Sequence, residues 1–216
     1  RHLGDLLSGL DGLGLADGTL VVVTSDHGQG LADHDDAFHS VNLYEESVRA
    51  VLVFRGPRVA AGRVSHAPVE AVDVLPTVLD LLQPGSHAGL GLPGRSLAGL
   101  LAGGESPSSD RPVHLYRQLY PRPTVVRRAP VAGARYGVRV GRWKYVEGDR
   151  DPRPELYDLE ADPRELRNRA ETEPERAAAL AARVRAWRAE HPRPGRAAPG
   201  PSEEDRARLR ALGYVE

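Results

Sequence analysis

The chain has 216 residues, of which 29 are Lys or Arg and 30 are Asp or Glu, for a formal net charge of -1. This balance argues against a dedicated surface for nucleic acid or anionic membrane, because such surfaces normally carry a basic excess. The absence of cysteine excludes disulfides, thiolate metal ligands and a cysteine nucleophile from these residues. No apolar run approaches the roughly 20 residues that a transmembrane helix needs.

The chain contains no methionine and begins with Arg1 in a segment that is typical of a helix. We therefore expect it to be a fragment of a longer protein. Its basic residues are almost all arginine, with Lys144 as the single lysine. Together with many Ala, Gly and Pro residues, this composition is typical of a GC-rich, bacterial genome.

The first half of the chain predicts an α/β layered domain over residues 1–105. Leucines at positions 3, 6, 7 and 10 have helical spacing. Residues 19–24 and 51–54 are apolar runs without polar alternation, which is the pattern of strands in a parallel sheet that is buried on both faces. Residues 69–82 predict a helix that bends at Pro76 and places Asp73 or Asp80 on its polar side.

The second half has a different character and predicts a small antiparallel sheet. A polar stretch at residues 103–110 indicates the junction. Strands are predicted at residues 113–120, 136–140, 143–146 and 155–159, followed by a helix at 173–190. We assign residues 111–192 to this subdomain and residues 193–216 to a linker with a short C-terminal helix. That helix is expected to begin after Ser202 and to include Leu209 and Leu212.

The segment that carries chemistry follows the first predicted strand. Three of the eight histidines, His27, His34 and His39, lie within fourteen positions of one another, together with four aspartates. Asp26 offers an oxygen and His27 a nitrogen directly after the strand, where ligands bind in open α/β sheets. This pair suits Mg²⁺, Ca²⁺, Mn²⁺ or Zn²⁺. Two ligands do not complete a site, so the others must come from elsewhere in the protein.

The same residues also allow a simpler interpretation. Asp and His next to glycine are ordinary turn residues after a strand, and acidic loops are often only solvated. His34 and His39 could each be exposed or structural histidines. We treat the other histidines, which have no acidic cluster beside them, as structural or exposed.

In their order along the chain, these segments resemble the second half of a sulfatase of the alkaline phosphatase superfamily. The motifs that carry the resemblance include Asp26-His27-Gly28, Gly94-Arg95-Ser96-Leu97 and Gly141-Arg142-Trp143-Lys144-Tyr145; no single one is decisive, and the resemblance rests on their order together. The matching segments are residues 19–28, His34, 39–49, 51–57, 73–82, 94–97, 141–145, 155–165 and 204–214. The implied fold is the C-terminal part of a mostly parallel sheet sandwiched by helices, with a small antiparallel β subdomain and C-terminal helices.

The resemblance implies hydrolysis of a small-molecule or saccharide sulfate ester at one divalent cation, most commonly Ca²⁺, with Mg²⁺ or Mn²⁺ as alternatives. Asp26 and His27 match a pair of metal ligands. His39 matches a residue that contacts the sulfate or protonates the leaving oxygen, and His34 matches a recurrent histidine of the same loop, so both are candidate catalytic residues. The nucleophile, a formylglycine, is expected in the absent N-terminal half. We therefore expect this fragment to be inactive alone, and a periplasmic or secreted location is suggested by the family only.

The sequence departs from the family pattern in the metal loop. Gln29 stands where many relatives have Glu or Pro, and Asp35 and Ser40 stand where Gly is frequent. The added carboxylates at Asp35 and Asp36 could weaken anion binding or attract a cationic part of a substrate. Phosphonate or phosphodiester hydrolysis, phosphoglycerol transfer, and a non-catalytic interaction module remain alternative functions.

Overall fold

The computed structural model describes residues 2–31, 33–35, 42–105, 108, 110–118, 133–150, 153–191 and 203–204. Contacts divide the chain into two compact units, Arg1–Val184 and Arg185–Glu216. Within the described residues, no helix is long and apolar enough to cross a membrane. His39 and the predicted C-terminal helix around Leu209 and Leu212 lie outside the described residues. The predicted domain boundaries at residues 105 and 192 stay predictions.

The first part of the chain forms a two-stranded sheet with helices around it. Helix α1 (His2–Gly12) precedes strand β1 (Val21–Thr24), and the short helix α2 (Glu45–Val48) precedes strand β2 (Leu52–Arg55). The predicted helix and both predicted strands are thereby confirmed. The two strands pair antiparallel, with Val21 opposite Arg55 and Thr24 opposite Leu52.

The sequence predicts that these strands belong to a mostly parallel sheet, and the structure shows that the two strands pair antiparallel with each other. An apolar run without alternation indicates that both faces of a strand can be covered by other elements. It does not indicate the direction of the neighbouring strand. The connection, residues 25–51, is long enough for either direction, and the pairing of Val21 with Arg55 shows that the two strands run antiparallel.

The predicted helix at 69–82 is split into two elements. A 3-10 turn (Ala71–Asp73) leads into helix α3 (Val74–Leu82). Pro76 therefore lies in the first turn of α3, where a missing N–H leaves no intrahelical bond unmade, and the predicted bend at Pro76 is wrong. Asp73 is fully buried, not on a polar face, because its carboxylate pairs with Arg111. Helix α4 (Ala98–Leu101) follows.

The predicted antiparallel sheet is confirmed. It comprises β3 (Val113–Arg117), β4 (Arg135–Val140), β5 (Trp143–Gly148) and β6 (Glu155–Asp158), in the spatial order of the sequence. The hairpin between β4 and β5 pairs Val140 with Trp143, and Gly141 in this turn has a φ of 57°, which glycine adopts without strain.

The final described helix, α5 (Pro174–Glu190), covers one face of this sheet through its N-terminal part. The buried residues Ala177, Leu180, Ala181 and Val184 recur at intervals of three and four, so they form one stripe on the helix. This stripe packs against Val138, Tyr145 and Leu156 of the sheet. The core of the described chain therefore lies between the four-stranded sheet and α5.

Candidate metal and anion site

The candidate metal ligands lie in the turn that follows β1. The backbone N–H of His27 donates to Oδ1 of Asp26 at 3.0 Å, so the two side chains are held on the same turn. The side chain of Asp26 is 89% exposed and that of His27 is 42% exposed. Both candidate ligands therefore lie at the surface of the described chain.

The hydrogen bonds of His27 determine which nitrogen suits a cation. Nδ1 of His27 lies 2.7 Å from the carbonyl oxygen of Gly28, and because a carbonyl only accepts, Nδ1 carries the proton. Nε2 then bears the lone pair, and it lies 3.7 Å from Oδ1 of Asp26. A histidine that binds a metal commonly donates its other N–H to a carbonyl in this way.

This donor set fits a hard or borderline divalent cation. Two ligands of one Ca²⁺ ion, each at 2.3–2.6 Å from it, can be at most about 5 Å apart, so the separation of Asp26 Oδ1 from His27 Nε2 is compatible with a shared ion. Within the described ranges, no group of three or more His, Cys, Asp or Glu side chains is arranged to hold a metal. The described residues therefore supply two candidate ligands of a metal site, Asp26 and His27, as the sequence predicts.

The turn is mounted directly on helix α2. The N–H of Gly28 donates to the carbonyl of Ser47 at 2.9 Å. A Cβ atom at position 28 would lie 2.1 Å from the carbonyl oxygen of Glu46, so only glycine permits this approach. Ser25 adds a second attachment, because its Oγ accepts a hydrogen bond from the N–H of Val51 at 3.0 Å. The position of Asp26 and His27 therefore follows that of α2.

His34 ties the same loop to α2 and to the segment after β6. Its Nδ1 lies 2.7 Å from Oε1 of Glu46, and its Nε2 lies 3.3 Å from the carbonyl oxygen of Glu165. The ring stacks on Tyr44 with a centroid distance of 3.9 Å. His34 has a left-handed backbone with φ 49°, a conformation that costs energy in a residue with a Cβ. Both ring nitrogens thus face acceptor oxygens of the protein itself.

A buried charge network anchors the other acidic residue of α2. Nζ of Lys144 on β5 lies 2.8 Å from Oε1 of Glu165 and 3.1 Å from Oε1 of Glu45. The side chains of Lys144 and Glu165 are 0% exposed. Burial raises the pKa of Glu165, and the nearby Lys144 ammonium partly opposes that rise. Arg139 on β4 adds a second cation, 3.3 Å from Oε2 of Glu45.

Tyr44, which precedes α2, packs against the ring of Tyr157. Burial is the main cause that raises its pKa to about 12, and burial likewise raises the pKa of Tyr157. The two rings meet edge to face at a centroid distance of 5.9 Å. Both hydroxyls therefore stay protonated at neutral pH.

The structure brings some of the predicted site residues together. Asp26 and His27 lie on one turn, and His34 contacts the helix that supports that turn. His39, the side chain of Asp35 and all of Asp36 lie outside the described residues. Sequence reasoning did not find Glu45, Lys144 or Glu165 as contributors to this region. The sequence did contain one indication of a special role for Lys144, because it is the single lysine in a chain whose other long basic residues are all arginine.

The N-terminal part of the chain matches a family model. The matching region is residues 1–84 and the description is Sulfatase, so the match contains the turn with Asp26 and His27. Residues 1–84 are therefore similar to the sulfatase family. The α/β fold of the chain agrees with that family, whose members have the alkaline-phosphatase-like fold.

Curated proteins that are similar to this chain include arylsulfatase K from two vertebrates. The Bos taurus protein is 31% identical over 188 residues, which are 85% of this chain and 33% of that protein. The Xenopus laevis protein is 34% identical over 183 residues, 81% of this chain and 32% of that protein. The chain thus spans about a third of the length of the curated relatives it matches.

Solved structures extend the similarity to the fold of most of the chain. BT4656, solved in complex with its substrate D-glucosamine-2-N,6-O-disulfate, is 31% identical, with a TM-score of 0.71 over 86% of this chain and 37% of that one. A phosphonate monoester hydrolase from Silicibacter pomeroyi is 32% identical, with a TM-score of 0.67 over 86% of this chain and 37% of that one.

Proposed function

We propose that this chain supplies part of the active site of a divalent-metal-dependent sulfatase that hydrolyses a sulfate ester of a small molecule or saccharide. The observation that carries the proposal is the turn after β1, where Asp26 Oδ1 and His27 Nε2 lie 3.7 Å apart and the next residue, Gly28, is hydrogen-bonded to Ser47 of α2. The similarity to arylsulfatase K and to BT4656, a protein with a sulfated glucosamine substrate, supports the substrate class.

In this proposal, Asp26 and His27 hold one cation, with Ca²⁺ favoured and Mg²⁺ or Mn²⁺ as alternatives. The bound cation stabilises negative charge on the sulfate oxygens. The Asp26 carboxylate would partly neutralise the charge of the ion. The hydrogen bond from Nδ1–H of His27 to the carbonyl of Gly28 orients the ring, so that Nε2 is available as the ligand atom. A formylglycine in another part of the full-length protein provides the nucleophile.

We assign the anion contact to His39, because an imidazole can carry positive charge and can donate a proton near neutral pH. For His34 we propose a supporting role in place of direct contact with the substrate. Its two ring nitrogens already face Glu46 and the carbonyl of Glu165. His34 thereby holds the segment around Asp33–Asp35 against Glu46 and Glu165.

The experiment compares Asp26→Ala and His27→Ala in the full-length protein that contains this chain. The matched control is Asp17→Ala, an exposed aspartate in the 3-10 turn before β1. Titration calorimetry with Ca²⁺, Mg²⁺ and Mn²⁺ measures metal affinity, and an aryl sulfate measures hydrolysis. Loss of a direct ligand is expected to weaken binding by more than the roughly 10- to 100-fold seen for outer-shell residues. Unchanged metal binding in Asp26→Ala would contradict the proposal.

A second candidate function is hydrolysis of phosphonate monoesters, which the similarity to the Silicibacter pomeroyi enzyme favours. An aryl phosphonate monoester assayed beside the aryl sulfate distinguishes the two reactions. We expect a higher kcat/KM for the sulfate. A clear preference for the phosphonate would assign the chain to the second reaction while leaving the metal site intact.

A further inference from the structure

Lys144 is an unusual residue for the interior of this protein. Its side chain is 0% exposed, and its ammonium is paired with two carboxylates of different segments, Glu165 and Glu45. Removing an ammonium from water costs several kcal/mol, so a buried ion pair generally adds little stability compared with a well-packed apolar pair. The network therefore requires an explanation besides stability.

The contacts of this network converge on the first turn of α2. Oε2 of Glu165 accepts a hydrogen bond from the backbone N–H of Glu45 at 2.6 Å, while Oε1 faces Lys144. The Glu45 carboxylate bonds to Lys144 and Arg139. The side chain at the start of α2 is thus bonded to the antiparallel sheet, and its backbone is bonded to the segment that follows the sheet.

The segment that presents Glu165 is itself strained. Glu165 has a positive φ of 52°, which a residue with a Cβ rarely adopts, and it is buried. The adjacent Arg164 reaches the loop from the other side, with Nη2 3.2 Å from Oδ1 of Asp33. Strain of this kind persists where the surrounding contacts hold it, and it is concentrated at functional sites.

Helix α2 also contacts the candidate metal turn, through the hydrogen bond from Gly28 to Ser47 and the close approach of Gly28 to Glu46. A continuous path of direct contacts therefore runs from Lys144 through Glu45 and Glu165 to α2, and from α2 to Asp26 and His27. We propose that Lys144 is a positioning residue that sets the geometry of the metal turn from the antiparallel sheet. This inference rests on the proposed function of Asp26 and His27 as metal ligands.

The test uses the paired substitution Lys144→Met with Glu165→Gln in the full-length protein. The double substitution removes the ion pair between Lys144 and Glu165 without leaving an uncompensated charge in the interior. Such a charge would itself be strongly destabilising. The matched control is the paired substitution Arg142→Gln with Asp158→Asn, which removes a neighbouring ion pair in the same way and also leaves no buried charge unpaired. Metal affinity is measured by calorimetry, and kcat is measured at saturating metal.

We expect the paired variant to bind the cation roughly tenfold more weakly, the lower end of outer-shell effects, with kcat at saturating metal within about twofold of wild type. The control is expected to retain wild-type metal affinity. A merely structural role would lower the melting temperature and the active fraction while leaving the metal Kd of the folded molecules unchanged, and that result would overturn the inference.

Asp26→Ala, measured in the same series, separates the two proposals. If Asp26→Ala loses metal binding but the paired variant keeps wild-type affinity, only the positioning role of Lys144 is wrong. If Asp26→Ala keeps metal binding, the proposed function is wrong. Should the paired variant fail to fold, Glu45→Gln tests the same network, because it weakens the contacts to Lys144 and Arg139 while keeping the backbone hydrogen bond to Glu165. Unchanged metal affinity in Glu45→Gln overturns the inference, and weakened affinity supports it.

Discussion

Gly28 and Glu46 are in backbone contact, with no room for even a methyl group between them. A Cβ at residue 28 would lie 2.1 Å from the Glu46 carbonyl oxygen and 3.1 Å from that of Arg49. The contact joins the turn of the candidate metal ligands to α2. Because both partners are backbone atoms, no side-chain rotation can relieve an added methyl.

We expect Gly28→Ala to displace the metal turn from α2. The added methyl should destabilise the fold by about 1–3 kcal/mol, as overpacking does, and should weaken metal binding at Asp26 and His27. Thermal unfolding and calorimetric metal titration measure the two effects. Gly9→Ala is the control, because position 9 lies on α1 with open space around it and alanine favours helix. Equal metal affinity in Gly28→Ala and wild type would contradict the claim that contact with α2 positions the turn of Asp26 and His27.

The second prediction concerns His34. We expect His34→Ala to cost about 2–3 kcal/mol, because it removes the hydrogen bond to Glu46, the contact with Glu165 and the stacking on Tyr44. His34→Asn should cost less, since asparagine tolerates the left-handed backbone and keeps a polar side chain.

Urea unfolding of the two His34 variants provides the measurement, with His66→Ala as the exposed control. The same variants test the supporting role proposed for His34. If His34 only supports the loop, its variants should retain measurable activity at saturating substrate. A complete loss of kcat in a folded His34→Asn protein would instead assign His34 to the chemistry.

The third prediction concerns acid stability at the Asp73–Arg111 pair. Asp73 is fully buried, and its carboxylate accepts hydrogen bonds from both terminal nitrogens of Arg111, with donor–acceptor distances of 2.6 and 2.9 Å. Burial alone would raise the pKa of Asp73, but the hydrogen bonds from Arg111, Arg95 and Glu70 together lower it below the ordinary value. The stabilisation is therefore fully present above the unfolded pKa of about 4 and is lost as the pH falls through the lower folded value.

Asp73→Asn tests this pH dependence. At pH 7 the variant should be less stable by about 3 kcal/mol, because it breaks a buried ion pair. The difference from wild type should shrink as the pH falls below 4, where the wild-type carboxylate also becomes protonated. Urea unfolding at pH 7, 5, 4 and 3 gives the curve, with Asp5→Asn on the exposed helix α1 as control. A difference that stays constant over this pH range would refute the assignment.

The elements that the sequence predicted well are those whose pattern is local. The helix at 173–190 and the strands around Gly141-Arg142 follow from periodicity and turn residues, and the structure confirms them. Asp26 and His27 stand out because they follow an apolar strand directly. The antiparallel pairing of β1 with β2 and the burial of Asp73 did not follow from the sequence, because each depends on a partner far along the chain, β2 in the first case and Arg111 in the second.

The sequence by itself therefore determined the residue types of the candidate site and the elements that precede and follow it. The tertiary structure alone decided what holds that site in place. Lys144 lies 99 positions from Glu45, and Glu165 lies 131 positions from His34, so no local pattern could join them. These contacts depend on how the antiparallel sheet packs beside α2, and burial in that packing is what makes a single ammonium and two carboxylates into one network.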